Sequence, residues 1–248
     1  MINHISVVMI AKNAEQHIEA SLESITNFNE VILYINNSTD KTEEIAKQYP
    51  NVTLIHGEFT GFGTTKKRAV SYARNDWILS LDSDEVLSKA LIKEINKQEL
   101  NKNKVYSILR NNYYKNKWVK CCGWNNNYVE RLFNRTMTNF NTKEVHEGVI
   151  TDNLTVEKLK NALNHYPFDN AGQLLSKMDS YATLYAKEHQ GHKKSSPFKA
   201  FFSGFFAFLK NYFLQKGFLC GYTGLLISIS NANGAFYKYI KLYEANKK

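Results

Sequence analysis

The sequence predicts an α/β chain: a largely parallel central sheet with helices on both faces, followed by a helical extension. Three observations predict it. Short apolar runs alternate with stretches of helical spacing through the first hundred residues, the pattern of parallel strands joined by crossover helices. Polar clusters fall at the ends of those runs, where an open parallel sheet forms its ligand crevice. Beyond residue 169 the apolar positions recur at helical spacing over two long stretches, as amphipathic helices require.

The elements follow in order. "ISVVMIAKN" is a first strand, and residues 14–27 form a helix with Ile18, Leu22 and Ile25 on one face. "EVILYINNSTD" is a second strand; residues 40–49 are a short helix that stops before Pro50. "NVTLIHG" is a third strand, residues 64–75 a second good helix, and "WILSLD" a fourth strand. Residues 105–135 are rich in Tyr, Trp, Asn and Arg, with strands at "VYSILRNNYY" and "YVERLFNR" around a mobile "CCGWNNN" connection. Residues 170–189 place Leu174, Met178, Tyr181 and Tyr185 at helical spacing. Residues 198–214 carry Phe198, Phe201, Phe202, Phe205, Phe208, Leu209, Tyr212 and Phe213, a wide aromatic face. No internal repeat and no Gly/Ser-rich or Pro-rich linker divides the chain.

Composition narrows the classes. A hydrophobic fraction of 43% and an aromatic fraction of 13% in 248 residues argue for a substantial core and against disorder. The net charge of +9 calls for an anionic partner: nucleic acid, an anionic membrane or a phosphorylated substrate. The lysines are scattered and no nucleic-acid motif accompanies them, so nucleic acid is disfavoured. Three cysteines, two of them adjacent at Cys121 and Cys122, fit neither a zinc ribbon nor a disulfide framework, and indicate a reducing cytosol. The N-terminal apolar run from Ile5 to Ile10 meets Lys12 too soon for a signal peptide. Lys210 and Lys216 interrupt the most hydrophobic region, so no window reaches the roughly 18 apolar residues of a membrane span.

The chemistry concentrates at "WILSLDSDEVLS", Trp77 to Ser88. An apolar strand delivers Asp82, Asp84 and Glu85 to the carboxyl edge of a parallel sheet, where short carboxylates suit Mg²⁺ or Mn²⁺ beside a substrate diphosphate. As an isolated tripeptide, Asp-x-Asp more often marks a solvated loop; the strand before it and the alternating pattern point instead to a crevice. An aspartyl-phosphate phosphatase would carry such acids after the first strand, which here ends in Lys12-Asn13. A nucleotidyltransferase would have a Gly-rich phosphate loop at that point, and none is present.

"ISVVMIAKNAEQHIEASLESI", "EVILYINNSTDKTEEIAK" and "GFGTTKKRAVSYARNDWILSLDSDE" together resemble family 2 glycosyltransferases of the Rossmann-like GT-A fold. "GWNNNYVERLFNR", "VHEGV", "HYPF" and "GFLCGYTG" are similar to the branch that adds β-glucose to the inner core of lipopolysaccharide or lipooligosaccharide. The resemblance implies a catalytic domain over residues 1–168, with its nucleotide-sugar half at 1–100 and acceptor half at 101–168, and a helical extension over 169–248. It implies inverting transfer of a hexose, glucose from UDP-glucose, to a heptose of a lipid-linked oligosaccharide acceptor. Asp82, Ser83 and Asp84 match the metal and diphosphate motif, with Glu85 behind it or on the sugar. Ala11, Lys12, Asn13, Asn36, Asp40 and Lys66 match donor-binding positions; Asp40 is equally suited to cap the following helix, and Lys66 has a solvated helix lysine as its plain alternative. Glu147 matches the general base, with His146 beside it; a surface Glu in a strand or loop is its plain alternative. His165 matches a third metal ligand, Trp124 a position that holds acceptor or substrate, and Arg131 one that holds an anionic substrate group or Glu147, though for His165 and Arg131 a structural role serves as well.

Some positions depart from the family pattern. Ile35 stands where an Asp contacts the uracil, Ala14 replaces a frequent Glu, Lys67 a frequent Asn, Asn127 a frequent Asp, and Cys220 the Asp of "GFLDGY". Donor identity is open at these positions, and a catalytically silent glycan-binding or membrane-binding relative is the rival from another class. Another surface glycan, capsule or glycoprotein, is the alternative acceptor. Lys193, Lys194, Lys199, Lys210 and Lys216 beside the Phe-rich face suit peripheral contact with an anionic membrane, which would place the protein at the inner face of the cytoplasmic membrane. The competing expectation is that this aromatic face packs into the fold.

Overall fold

The computed structural model describes residues 1–142 and 147–247. The first elements are β1 (Ile2–Ala11), α1 (Ile18–Ser24), β2 (Phe28–Ile35), α2 (Thr42–Ala46), β3 (Val52–His56), α3 (Phe62–Ser71) and β4 (Trp77–Ser80). They are followed by β5 (Glu85–Leu87), α4 (Lys89–Lys97), β6 (Lys104–Tyr114), β7 (Lys117–Trp118), β8 (Asn127–Asn134) and β9 (Thr155–Phe168). Among the described residues the sheet runs in the order β3-β2-β1-β4-β8-β6-β9-β5, with β7 paired to β6.

The first four strands are parallel, and β8 continues the sheet antiparallel to β4. This half is the expected alternating α/β fold. The chain moves outward from β1 to β2 and β3, then returns to the other side of β1 to form β4. The strand order therefore reverses between β1 and β4, and a crevice opens beyond their carboxyl ends. Alternate residues of β1 explain why both faces are covered: Val7 and Met9 pack with Ile18 and Leu22 of α1, whereas Val8 packs with Ala69 and Val70 of α3. A strand buried on both faces reads as a continuous apolar run, which is what "ISVVMI" is.

Several boundaries differ from the sequence expectation. α1 starts at Ile18, not residue 14: residues 14–17 form a turn in which His17 N–H donates to Ala14 O at 3.0 Å, while Ala14 N–H donates to Thr42 Oγ1 at 2.8 Å and Glu15 N–H to Asp40 Oδ2 at 2.9 Å. Asn13 itself has φ 50°, outside the right-handed helical region. Of these elements, three strands and a helix were not marked by the sequence reading: β5, β7, β9 and α4. The last is capped by Ser88 Oγ, which accepts from Leu91 N–H at 3.1 Å.

The chain divides into two compact units, residues 1–110 with 127–165, and residues 111–126 with 166–248. The second unit contains α5 (Ala171–His189), α6 (Pro197–Leu209), a π-helical turn at Lys210–Leu214, a 3₁₀ turn at Gly217–Cys220 and α7 (Gly221–Ala245). Asn170 and Ser196 cap α5 and α6 through their side chains, and Pro197 occupies the first turn of α6. The "CCGWNNN" connection, expected to be mobile, is anchored here instead. Cys121 and Cys122 are buried with Val119, Phe168, Leu174 and Ile227. Cys121 is joined to Cys220 as a disulfide, against the expectation of no disulfide framework, while Cys122 remains a free buried thiol. No described helix is long and apolar enough to cross a membrane.

Candidate active site

At the end of β4 the chain keeps one more ladder contact, Leu81 N–H to Val8 O at 3.0 Å, and then turns. The turn Asp82-Ser83-Asp84-Glu85 closes on itself. Glu85 N–H donates to Asp82 O at 3.0 Å, and Asp82 N–H donates to Glu85 Oε2 at 3.0 Å. Helix α1 braces it from one side through Ser21 Oγ, which donates to Ser83 O at 2.9 Å. The side chains of Asp82 and Asp84 are thus projected from a fixed backbone, and Glu85 is turned inward, with no exposed surface.

Three cationic groups and an imidazole meet these acids. Lys66, buried on α3, places Nζ 2.8 Å from Asp82 Oδ1 and 3.6 Å from Glu147 Oε1, and 5.5 Å from the centre of the Phe140 ring. Arg131, buried on β8, donates through Nη2 to Asp82 Oδ2 and, at 2.5 Å, to Glu85 Oε1. Arg110 on β6 brings Nη1 within 3.5 Å of Glu85 Oε1. His165 Nε2 lies 3.4 Å from Asp84 Oδ2. Strand pairing explains the last contact, because β5 and β9 are antiparallel with Glu85 opposite His165. Burial alone would raise the Asp82 pKa, yet Arg131 and Lys66 hold it well below the usual carboxylate range. Arg131 is in turn stabilised as a cation by Asp82 and Glu85 against its own desolvation.

The close approach of α3 depends on glycine. A Cβ on Gly63 would collide with the backbone carbonyl of Asn141 and lie 3.5 Å from Glu147 Cβ. The "GFG" motif therefore lets the start of α3, and with it Lys66, sit against the segment that carries Glu147.

The other expected donor positions form a loop system at the ends of β1 and β2. Asn13, in the left-handed region that Asn tolerates, accepts from Thr39 N–H at 2.8 Å, and its own N–H donates to Ser38 Oγ at 3.0 Å. Asp40 accepts from Thr42 N–H at 3.1 Å and Glu15 N–H at 2.9 Å, and these hydrogen bonds outweigh its burial to lower its pKa. Its local role is therefore a clamp between two loops. Ala11 is buried and its carbonyl accepts from Asn36 N–H at 3.1 Å, Asn36 is buried, and Lys12 is exposed. Beyond the ends of β2 and β3 lies a cavity of about 410 Å³, lined by Ile35, Asn37, Ser38, Glu43, His56, Gly57 and Glu58.

The structure thus brings Lys66, Asp82, Asp84, Glu85, Arg131, Glu147 and His165 together. Trp124 belongs to the second unit, where it packs 5.9 Å from Phe168 and its carbonyl accepts from Asn112 Nδ2 at 2.9 Å. His146 lies outside the described residues. The sequence reading missed Arg110 and Ser21, since nothing in the spacing of Arg110 to Glu85 or of Ser21 to Ser83 signals contact.

The donor chemistry can be tested for a divalent cation. Each oxygen of Asp82 already accepts from a cation, Oδ1 from Lys66 and Oδ2 from Arg131, and each keeps a second lone pair for a ligand. Asp84 and His165 also fit: a partly exposed carboxylate and an imidazole nitrogen, 3.4 Å apart, suit Mn²⁺. Among the described residues no group of three or more His, Cys, Asp and Glu forms a metal cluster, so the remaining ligands would have to come from substrate oxygens and water.

The sequence profile described as glycosyl transferase family 2 matches residues 6–152. An uncharacterised glycosyltransferase of Rickettsia typhi is 31% identical over 98% of this chain and 88% of its own length. The lipopolysaccharide core biosynthesis glycosyltransferase LpsC of Rhizobium meliloti is 23% identical over 97% of this chain and 92% of its own. Among solved structures, the S. aureus TarS 1-349 complex with UDP-GlcNAc aligns with a TM-score of 0.49 at 13% identity, covering 100% of this chain and 90% of that one.

Proposed function

The chain belongs to glycosyltransferase family 2, and from that premise we propose that it is an inverting, metal-dependent enzyme. It transfers a hexose, glucose from UDP-glucose, to a heptose in the inner core of a lipid-linked lipopolysaccharide or lipooligosaccharide. The observation that carries the reading is the position of Lys66, whose ammonium touches Asp82 on one side and Glu147 on the other. It ties the strand-end acids to a carboxylate suited to act as base. A lipopolysaccharide-core acceptor is supported by LpsC, a lipopolysaccharide core biosynthesis glycosyltransferase that is similar over nearly the whole length of both chains.

Glu147 accepts the proton of the acceptor hydroxyl as its oxygen forms a bond to the anomeric carbon. The bond from that carbon to the diphosphate oxygen breaks, and UDP carries away the electron pair. Lys66 and Arg131 supply fixed positive charge where negative charge develops on the leaving diphosphate. Asp82 keeps both cations in place, and Glu85 with Arg110 secures Arg131 from behind. Asp84 and His165 would hold the divalent cation, which supplies Lewis-acid neutralisation of the diphosphate when bound.

Transfer from UDP-glucose to a heptose-terminated core oligosaccharide tests this directly. Wild-type protein with Mn²⁺ is expected to release UDP and form the glucosylated product. Glu147→Gln is expected to lose about 10²–10⁴-fold in turnover while still binding UDP. Unchanged turnover in that variant would remove Glu147 from the mechanism.

A further inference from the structure

Helix α6 is built inside out for a helix of a soluble domain. It buries its smallest residues, Ala200 and Gly204, and turns its largest outward. A Cβ on Gly204 would lie 3.1 Å from both Ala232 O and Phe236 Cβ of α7, so the two helices meet through the small-residue face. The aromatic face, for which membrane contact and packing into the fold were the two expectations, is left uncovered. Phe198, Phe201, Phe202, Phe205 and Phe206 are 48–79% exposed. The apolar surface continues past the end of α6 through Phe213, Leu214, Phe218, Leu219 and Tyr222, of which Leu214 reaches 79% and Tyr222 70%.

Charge decides what covers this surface. From Gln190 to Tyr222 the chain contains five lysines, at 193, 194, 199, 210 and 216, and not one acidic residue. Two copies meeting through this region would bring like charges together. A protein partner would gain from the apolar part but needs complementary acids. A bilayer with anionic headgroups satisfies both features at once: rings enter the boundary between headgroups and acyl chains while lysines remain at the phosphate level. The absence of a described helix able to span a membrane fits a segment that lies in the interface.

We propose that α6 and the turns that follow it, residues 197–222, form a monotopic membrane-docking surface for anionic lipid. Phe198, Phe201, Phe202, Phe205 and Leu214 enter the bilayer, and Lys199, Lys210 and Lys216 lie over its phosphates. The inference is independent of the glycosyl-transfer reading, since it rests on the second unit alone.

The full-length protein should co-sediment with vesicles of phosphatidylcholine and phosphatidylglycerol (3:1), and far less with phosphatidylcholine alone. Raising the ionic strength should release it. Phe201→Ser with Phe205→Ser should weaken partitioning at least about tenfold, and Lys210→Glu by at least about fivefold. Both should keep the wild-type circular dichroism spectrum. Hydrogen exchange of the wild-type chain gives a check free of variants: added anionic vesicles should protect residues 197–222 selectively. Failure of the wild-type protein to bind anionic vesicles would overturn the proposal. So would protection confined to other segments, or the finding by light scattering that these positions instead mediate a dimer that ignores lipid.

Discussion

Lys66 is the residue on which the site turns. Its ammonium is buried between two carboxylates, so its removal leaves Asp82 with Arg131 alone and Glu147 without its cation. Lys66→Met is expected to reduce UDP-sugar turnover by about 10²-fold or more, as loss of a preorganised charge does, in a direct assay of UDP release. Asp82 makes a prediction in pH. Its folded pKa lies below the ordinary 3.8 because Arg131 and Lys66 outweigh its burial. Its contribution to stability is therefore fully present above about pH 3.8 and is lost only as pH falls further, through the folded value. Asp82→Asn should cost about 2 kcal/mol at pH 7, on the low side of a severed buried pair because the side chain is 28% exposed. Denaturant melts should show that gap constant from pH 5 to 8 and closing only under strong acid. The acids themselves were legible in the sequence because an apolar strand precedes them. Arg110 was not, since its pairing with Glu85 depends on which strands become neighbours.

At the scale of elements, the pairing of β5 with β9 brings together residues 81 positions apart, Asp84 and His165, the pair proposed to hold the cation. His165→Asn is expected to raise the Mn²⁺ concentration needed for UDP binding about tenfold or more, by titration calorimetry, while UDP binding without metal stays the same. An unchanged Mn²⁺ requirement would remove His165 from the cation site. The parallel strands β1, β2 and β4 could be read from sequence because burial on both faces makes each an apolar run. β9 could not, for its buried positions are irregularly spaced among polar ones such as Lys158, Lys160 and Asn164. α6 was read correctly as a helix, but periodicity cannot say which face is buried. The presence of Ala200 and Gly204 opposite the phenylalanines was the available signal, since small residues permit close helix contact.

On the scale of the whole molecule, the chain joins an α/β unit carrying the acid cluster to a helical unit carrying the exposed aromatic surface. The disulfide within the second unit links Cys121 and Cys220 across a sequence separation of 99, and a pairing that distant cannot be read from cysteine spacing. Closing so long a loop restricts the unfolded chain, so Cys220→Ala should lower stability by about 2–4 kcal/mol under oxidising conditions. With reductant present, the variant and the wild type should melt together.

The central claim is that the acid cluster at the end of β4 holds a nucleoside diphosphate with a divalent cation, and thermal unfolding tests it most directly. UDP at 100 times its dissociation constant stabilises a native state by about 2.7 kcal/mol, about 5–10 °C for a chain of this size. Wild-type protein should show that rise with UDP and Mn²⁺ together, a smaller one with UDP alone, and Asp84→Ala should lose the Mn²⁺-dependent part. A melting temperature that UDP and Mn²⁺ leave unmoved would contradict the account.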